Sequence, residues 1–263
     1  MLSIEKQMLF LLTKKRSMHA KEFVQIYTKR GYKEQSIRNV LSRMKKEKYI
    51  HAEERSLYSI MDKGEQFLSF VNRKPRQSDA DWNRKWTFVH FEVPEPQRQR
   101  RDQFRLQLLQ LGFGQLYKGV YVSPWDYSKQ LLSLIHAASM EDYVTISEAS
   151  ILFRDITPER AADIWPLADI HRLHQEKRQW YQDEFMPALD KEIRGGMDPL
   201  ALFVLYLHLG EVISEISLQD PMLPLSLLPR DWIGHRVIAE LHRSFQSFAT
   251  LIPSSSTYYQ FLV

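Results

Sequence analysis

Apolar residues recur at helical spacing through the first third of the chain. Ile4, Met8, Leu9, Leu11 and Leu12 predict a helix over residues 3–13, opened by Ser3 as N-cap. Ala20, Phe23, Val24, Ile26 and Tyr27 predict a second over 18–30, ended by Gly31-Tyr32. Ile37, Val40, Leu41 and Met44 form the stripe of a third over 33–47. A short turn between two such helices is the helix-turn-helix pattern. Tyr49 to Ile60 then reads as two short strands around a polar turn near Glu53–Ser56, and Asp62-Lys-Gly-Glu starts a helix reaching about Val71. Three helices, a hairpin and a closing helix predict a winged helix-turn-helix domain over residues 1–73.

The pattern changes after a polar linker, Lys74 to Asp81. Arg84–Val93 alternates as a strand, a basic helix follows over 97–111, and Leu116–Ser123 reads as a second strand. A helix over 127–138 and two more strands, Tyr143–Ser147 and Ile151–Arg154, complete a segment over 82–157. This order predicts a small ferredoxin-like, split-βαβ sheet. Residues 158–263 read as all helical. Helices are expected from Pro158 to Ile193 with breaks at Pro166 and near Pro187, from Asp198-Pro199 to about Ile216, and over 233–250, with a Pro-punctuated loop from Gln219 to Trp232. The expected fold class is α+β in three domains.

Charge changes the picture. The chain has a net charge of +4, but residues 1–76 carry 18 Lys and Arg against 8 Asp and Glu, a net of +10, which leaves −6 on the remainder. A basic head on an acidic body points to nucleic acid; a solvated basic face without a partner is the plainer alternative. The third helix presents Gln35, Ser36, Arg38, Asn39, Ser42, Arg43, Lys45 and Lys46 on its polar side. Arg forks to guanine, Asn and Gln pair bidentately with adenine, and Lys and Ser suit phosphate. Gln35, Ser36, Asn39 and Arg43 are expected nearest the bases. Lys45, Lys46 and the wing residue Arg55 are expected near the backbone. Some of these Arg residues could instead pair with Glu34 or Glu47 on the same helix.

Other chemistries find little support. Zero Cys excludes disulfides, thiolate metal sites and a Cys nucleophile, and fits a reducing compartment. Gly112-Phe-Gly114 with Gly119 matches neither a dinucleotide fingerprint nor a P-loop, and reads as a turn. His171 and His174, with Glu176 nearby, lack a third metal ligand, and no Gly-x-Ser-x-Gly or His-Glu-x-x-His occurs. The longest apolar run, Leu200–Leu209, is half of the roughly 20 residues a spanning helix needs. Glu5 stands where a signal peptide needs an apolar core. A cytoplasmic protein without membrane association, cofactor, metal or catalytic residue is expected.

Three stretches resemble the PaaX family of transcriptional regulators: Trp82-Asn-Arg-Lys-Trp-Thr-Phe-Val89, Leu111-Gly-Phe-Gly-Gln-Leu-Tyr-Lys-Gly-Val-Tyr-Val-Ser-Pro124 and Asp220-Pro-Met-Leu-Pro-Leu-Ser-Leu-Leu-Pro-Arg-Asp-Trp232. Ser36–Met44 is similar to the family's recognition helix, with Arg38 and Arg43 where that helix carries Arg. The resemblance implies a repressor of phenylacetic acid catabolism with a winged-helix head, a central domain similar to the CRISPR-associated Cas2 fold, and a helical C-terminal domain. It implies a homodimer on a double-stranded DNA operator, released by phenylacetyl-coenzyme A or a related acyl-CoA. In the family the helix before the Asp-Pro-x-Leu-Pro motif is often rich in His and Arg. Here Leu207–Ile216 instead carries Glu211 and Glu215, and the effector site is not assigned. The Cas2 likeness also implies an alternative, a metal-dependent nuclease with an acidic residue ending the first strand. Here Phe91-Glu-Val-Pro94 offers only Glu92. A DNA-binding scaffold without an effector is the third reading.

Overall fold

The apolar stripes of the first three helices are buried as their spacing requires. In the computed structural model, which describes residues 4–69 and 82–262, α1 (Ile4–Lys14) buries Met8, Leu9, Leu11 and Leu12. α2 (Ala20–Lys29) buries Phe23, Ile26 and Tyr27, and α3 (Glu34–Lys46) buries Ile37, Leu41 and Met44. The expected N-cap Ser3, the linker 74–81 and the helix end at Val71 lie outside the described residues.

The chain divides into two compact units. One comprises Met1–Asn72, Gln175–Glu215 and His235–Val263; the other comprises Arg73–His174 and Ile216–Gly234. The segment 158–263 thus contributes to both.

In the first unit, β1 (Ser17–His19), β2 (Ile50–Glu54) and β3 (Leu57–Ile60) form an antiparallel sheet in the order β1-β3-β2. β2 and β3 are joined by a two-residue turn, Arg55-Ser56, with Ser56 at φ 69°. β1 takes residues expected to open the second helix. Three residues carry no alternation of their own; pairing Met18 with Tyr58 makes them a strand. The closing helix α4 is Asp62–Ser69. The same unit holds a π-turn at Tyr181–Phe185, α9 (Met186–Arg194) and most of α10 (Pro199–Gln219) and α11 (Gly234–Leu251). Pro187 does not end a helix: the wide π-turn precedes it and α9 continues through it.

α10 corrects the expectation that no segment has membrane-spanning length. It runs 21 residues and is long and apolar enough to pass for a span. Its apolarity serves packing: Phe203 stacks on Tyr258 and Phe261 at 5.1 and 5.2 Å, and Tyr206 on Phe245 at 4.2 Å. A Cβ on Gly210 would sit 2.9 Å from the Phe245 ring, so α11 crosses α10 where the side chain is smallest. An apolar helix buried on several sides needs no bilayer.

The second unit is built on β4 (Trp86–Phe91), α5 (Arg98–Leu111), β5 (Gly114–Tyr117), β6 (Val120–Ser123), α6 (Ser128–Ala138) and β7 (Val144–Ala149). The strand order β5-β6-β4-β7, antiparallel throughout, is the ferredoxin-like arrangement expected. Two strand boundaries need correction. Leu116–Ser123 is not one strand but part of a hairpin, β5–β6, that turns at Lys118-Gly119. There Gly119 adopts φ +74°, and a Cβ would lie 2.7 Å from the Phe91 carbonyl oxygen. Ile151–Arg154 forms no strand: Leu152 and Phe153 stand 99% and 84% exposed, and Arg154 has φ 56°.

Both faces of this sheet are covered. On one, Phe91 packs against Phe104 of α5 and stacks on Tyr121. On the other, Trp86 and Val122 join Ile156, Trp165, Leu167, Ile170, Leu223, Leu227, Leu228 and Trp232 in a single core. These come from the residues flanking α7 (Pro158–Ile164), the start of α8 (Leu167–Trp180) and the Pro-punctuated loop. Three polar anchors fix that loop. Trp125 Nε1 donates to the Met222 carbonyl at 2.7 Å. His174 Nε2 donates to Asp220 Oδ2 at 2.7 Å with both side chains buried. Asp220 Oδ1 accepts from the Met222 N–H at 2.7 Å. Gly112 and Gly234 are required by space. Gly112, at φ +100°, would set a Cβ 2.9 Å from the Pro221 oxygen, and a Cβ on Gly234 would reach 2.5 Å from Trp232 Nε1. Gly112→Ala is expected to lower the denaturation midpoint by the equivalent of about 1–2 kcal/mol, from left-handed strain plus the clash; an unchanged midpoint would contradict it.

Candidate nucleic-acid interface

α3 begins after the turn Arg30-Gly31-Tyr32-Lys33, where Gly31 adopts φ +88° and nothing would obstruct a Cβ. Glycine is there for the backbone angle, not for space. The turn is closed by Gly31 N–H donating to Thr28 O at 2.9 Å and Tyr32 N–H to Tyr27 O at 3.0 Å.

Ile37, Leu41 and Met44 face the core, which turns Gln35, Ser36, Arg38, Asn39, Ser42, Arg43, Lys45 and Lys46 outward; all eight are exposed. At about 100° of rotation per residue, Gln35, Ser36, Asn39, Ser42, Arg43 and Lys46 fall within an arc of about 120°, with Arg38 and Lys45 along one flank. Arg55, also exposed, does not belong to this stripe and sits at the tip of the β2–β3 hairpin.

Several of these groups already hold one another. Gln35 Nε2 donates to Asn39 Oδ1 at 2.9 Å, so the two amides point as a pair. Arg38 pairs with Glu34 one turn back at 2.7 Å, as the same-helix alternative anticipated. Arg43 pairs not with Glu47 but with Glu5 of α1, at 2.5 Å. Exposed pairs of this kind are worth about 0–1 kcal/mol, so a phosphate or a base edge can replace the carboxylate at little cost. Among the described residues, Lys45, Lys46 and Arg55 have no ion-pair partner.

His174 is fully buried and spent on Asp220, His171 lies against Trp232 at 5.6 Å, and Glu176 is exposed. Among the described residues no group of three or more His, Asp or Glu could hold a metal ion. Glu92 is exposed beyond the end of β4, with its backbone N–H on the Tyr143 carbonyl at 3.2 Å.

The structure also assigns the two acidic residues that depart from the family pattern. Glu215 pairs with Lys177 at 2.8 Å. Glu211, 6% exposed, accepts from Gln7 Nε2 at 2.7 Å through Oε1 and from Arg30 Nη2 at 2.5 Å through Oε2. Arg30 Nη1 also donates to Gln7 Oε1. Burial lowers the His208 pKa one turn away, and the Arg30 charge lowers it further. Tyr27, with its hydroxyl wholly buried, is pushed well above the ordinary phenol range by desolvation. The sequence signal for this cluster is a carboxylate within an otherwise apolar helix, which demands a partner.

The sequence model of the PaaX protein central Cas2-like domain matches residues 79–162, and that of the PaaX-like protein C-terminal domain matches residues 165–257. The transcriptional repressor PaaX of Escherichia coli (strain K12) is 29% identical over 212 residues, covering 78% of this chain and 66% of that protein. This chain belongs to the PaaX family. An uncharacterized protein of Mycobacterium tuberculosis, Rv0674, shares the fold with a TM-score of 0.51 at 20% identity, over 92% of this chain and 93% of that one. The PaaX central match covers the sheet of the second unit, and both PaaX matches lie beyond residue 78, C-terminal to α3.

Proposed function

We propose that this PaaX-family protein is a transcriptional repressor whose residues 1–73 form a winged helix-turn-helix head. α3 enters the major groove and the β2–β3 hairpin serves as the wing. The observation that carries the reading is the exposed arc of amide, hydroxyl and cationic side chains on α3, within residues 1–76, whose net charge is +10. Gln35, Ser36, Asn39 and Arg43 read base edges; Arg38, Ser42, Lys45, Lys46 and Arg55 hold phosphates. The name of the E. coli relative supports the same role. A soluble, cytoplasmic, non-enzymatic regulator follows from it. Release from DNA by phenylacetyl-CoA or a related acyl-CoA completes the proposal: an effector that binds one conformation better shifts the population away from the DNA-binding one, by no more than that difference in affinity.

The working unit is proposed to be a homodimer on a pseudo-palindromic operator, with half-sites about one helical turn apart or a multiple of it. Leu152 and Phe153 support it: two adjacent apolar side chains standing in water beside the edge strand β7 suit a second copy across a two-fold axis. Replacing both with Asp is expected to give a monomer in sedimentation; an unchanged dimer would remove this surface from the account.

The salt dependence of duplex binding tests the head. Log affinity should fall linearly with log salt, and Lys45→Ala with Lys46→Ala should flatten the slope by about 2, weakening every sequence alike. An unaltered slope would refute the phosphate contacts.

A further inference from the structure

We infer that the buried triangle of Gln7, Arg30 and Glu211 is a positioning device that sets the pose of α3, and through it selectivity between DNA sequences. The inference rests on the reading of α3 as the DNA-contacting helix.

Three observations lead to it. The first is closure. Arg30 gives one nitrogen to Gln7 and another to Glu211, Gln7 gives its amide N–H to Glu211, and both Glu211 oxygens are used. The amide of Gln7 can satisfy both neighbours in one orientation only, oxygen toward the guanidinium and NH₂ toward the carboxylate. The triangle therefore admits a single arrangement of α1, the end of α2 and α10.

The second is energetic. The Arg30 and Glu211 side chains are only 8% and 5% exposed. Removing such charges from water costs about what their attraction returns, and well-packed apolar groups of similar size would stabilise as well or better. Stability alone gives no reason for three polar groups here; a uniquely specified arrangement does.

The third is place. Arg30 is the C-cap of α2, directly before Gly31 and the turn into α3. Its backbone N–H donates to Tyr27 O at 3.2 Å, so its anchored side chain and the closed turn are one rigid piece. The start of α3 is thus referred to α1 and α10 through Arg30.

Full-length wild type and Gln7→Leu/Arg30→Met/Glu211→Leu are to be compared on two duplexes, one from the protein's own upstream region and one of scrambled sequence. The expected result is an unchanged or higher denaturation midpoint, an upstream affinity lower by about tenfold, and a scrambled-sequence affinity unchanged. A ratio of the two affinities within twofold of wild type overturns the inference, because a structural role would leave that ratio alone. Should the triple variant fail to fold, Glu211→Gln keeps the shape and is judged by the same ratio and the same limit. Should wild type itself not discriminate the duplexes, the DNA reading of α3 fails separately. Amide exchange at Gly31 and Tyr32 then decides for the triangle: about tenfold faster exchange in Glu211→Gln supports the positioning role, and unchanged exchange overturns it.

Discussion

Asp220→Ala is expected to cost about 3 kcal/mol of stability, read from chemical denaturation of the full chain. Asp220 is 4% exposed and does two jobs: Oδ2 accepts from His174 Nε2 and Oδ1 from the Met222 N–H, each at 2.7 Å. His174 Nδ1 is buried without a hydrogen-bond partner among the described residues. Without Asp220 neither ring nitrogen of the buried His174 has a partner, and the start of the Pro-punctuated loop loses its turn. The loss spreads because that loop supplies Leu223, Leu227, Leu228 and Trp232 to the core on Trp86 and Val122. Asp220→Asn retains an acceptor for one of the two donors and should cost about 1 kcal/mol. Equal midpoints for wild type and Asp220→Ala would show that the loop is held by apolar packing alone.

Arg43→Ala has the largest expected effect on recognition: a loss of about 1–3 kcal/mol in operator affinity, with relaxed preference at one base pair. The contact with Glu5 is exposed on the Arg43 side and weak, so the same substitution should change stability by no more than about 0.5 kcal/mol. The two readings separate cleanly: affinity falls while the denaturation midpoint stays. Binding unchanged across a set of single-base operator variants would remove Arg43 from base readout and leave it as the partner of Glu5.

How much of this could be read from the residues depends on the range of the interaction. α3 was legible because Ile37, Leu41 and Met44 fix its buried side, and every polar residue on the other side follows from the helical period. The ferredoxin-like class was legible from the alternating strand β4 and the helices that follow it, but the strand order was not, since pairing joins positions that no local period links. β1 was not, because three residues become a strand only by pairing with β3, which lies about 40 positions on. The β5–β6 hairpin was missed because strand-forming Leu, Tyr and Val stand close on both sides of Lys118-Gly119, and that dipeptide alone marks the turn. Long-range polar pairs were the least visible. Glu5 with Arg43, Glu211 with Arg30 and Asp220 with His174 join positions far apart in the chain, and no period encodes them. Glu211 came nearest to announcing itself, as a carboxylate on the most apolar helix. Read as a mismatch to a coenzyme A phosphate site, it is engaged inside the first unit and so says nothing against an effector elsewhere.

Titration of labelled DNA from the protein's own upstream region, by fluorescence anisotropy with and without phenylacetyl-CoA, decides between an effector-released repressor and the alternatives. Tight, sequence-specific binding that the thioester reverses is expected. Equal affinity for that duplex and for a scrambled one would contradict the repressor reading. Specific binding indifferent to phenylacetyl-CoA and to related acyl-CoAs would contradict the effector part and leave α3 in its place.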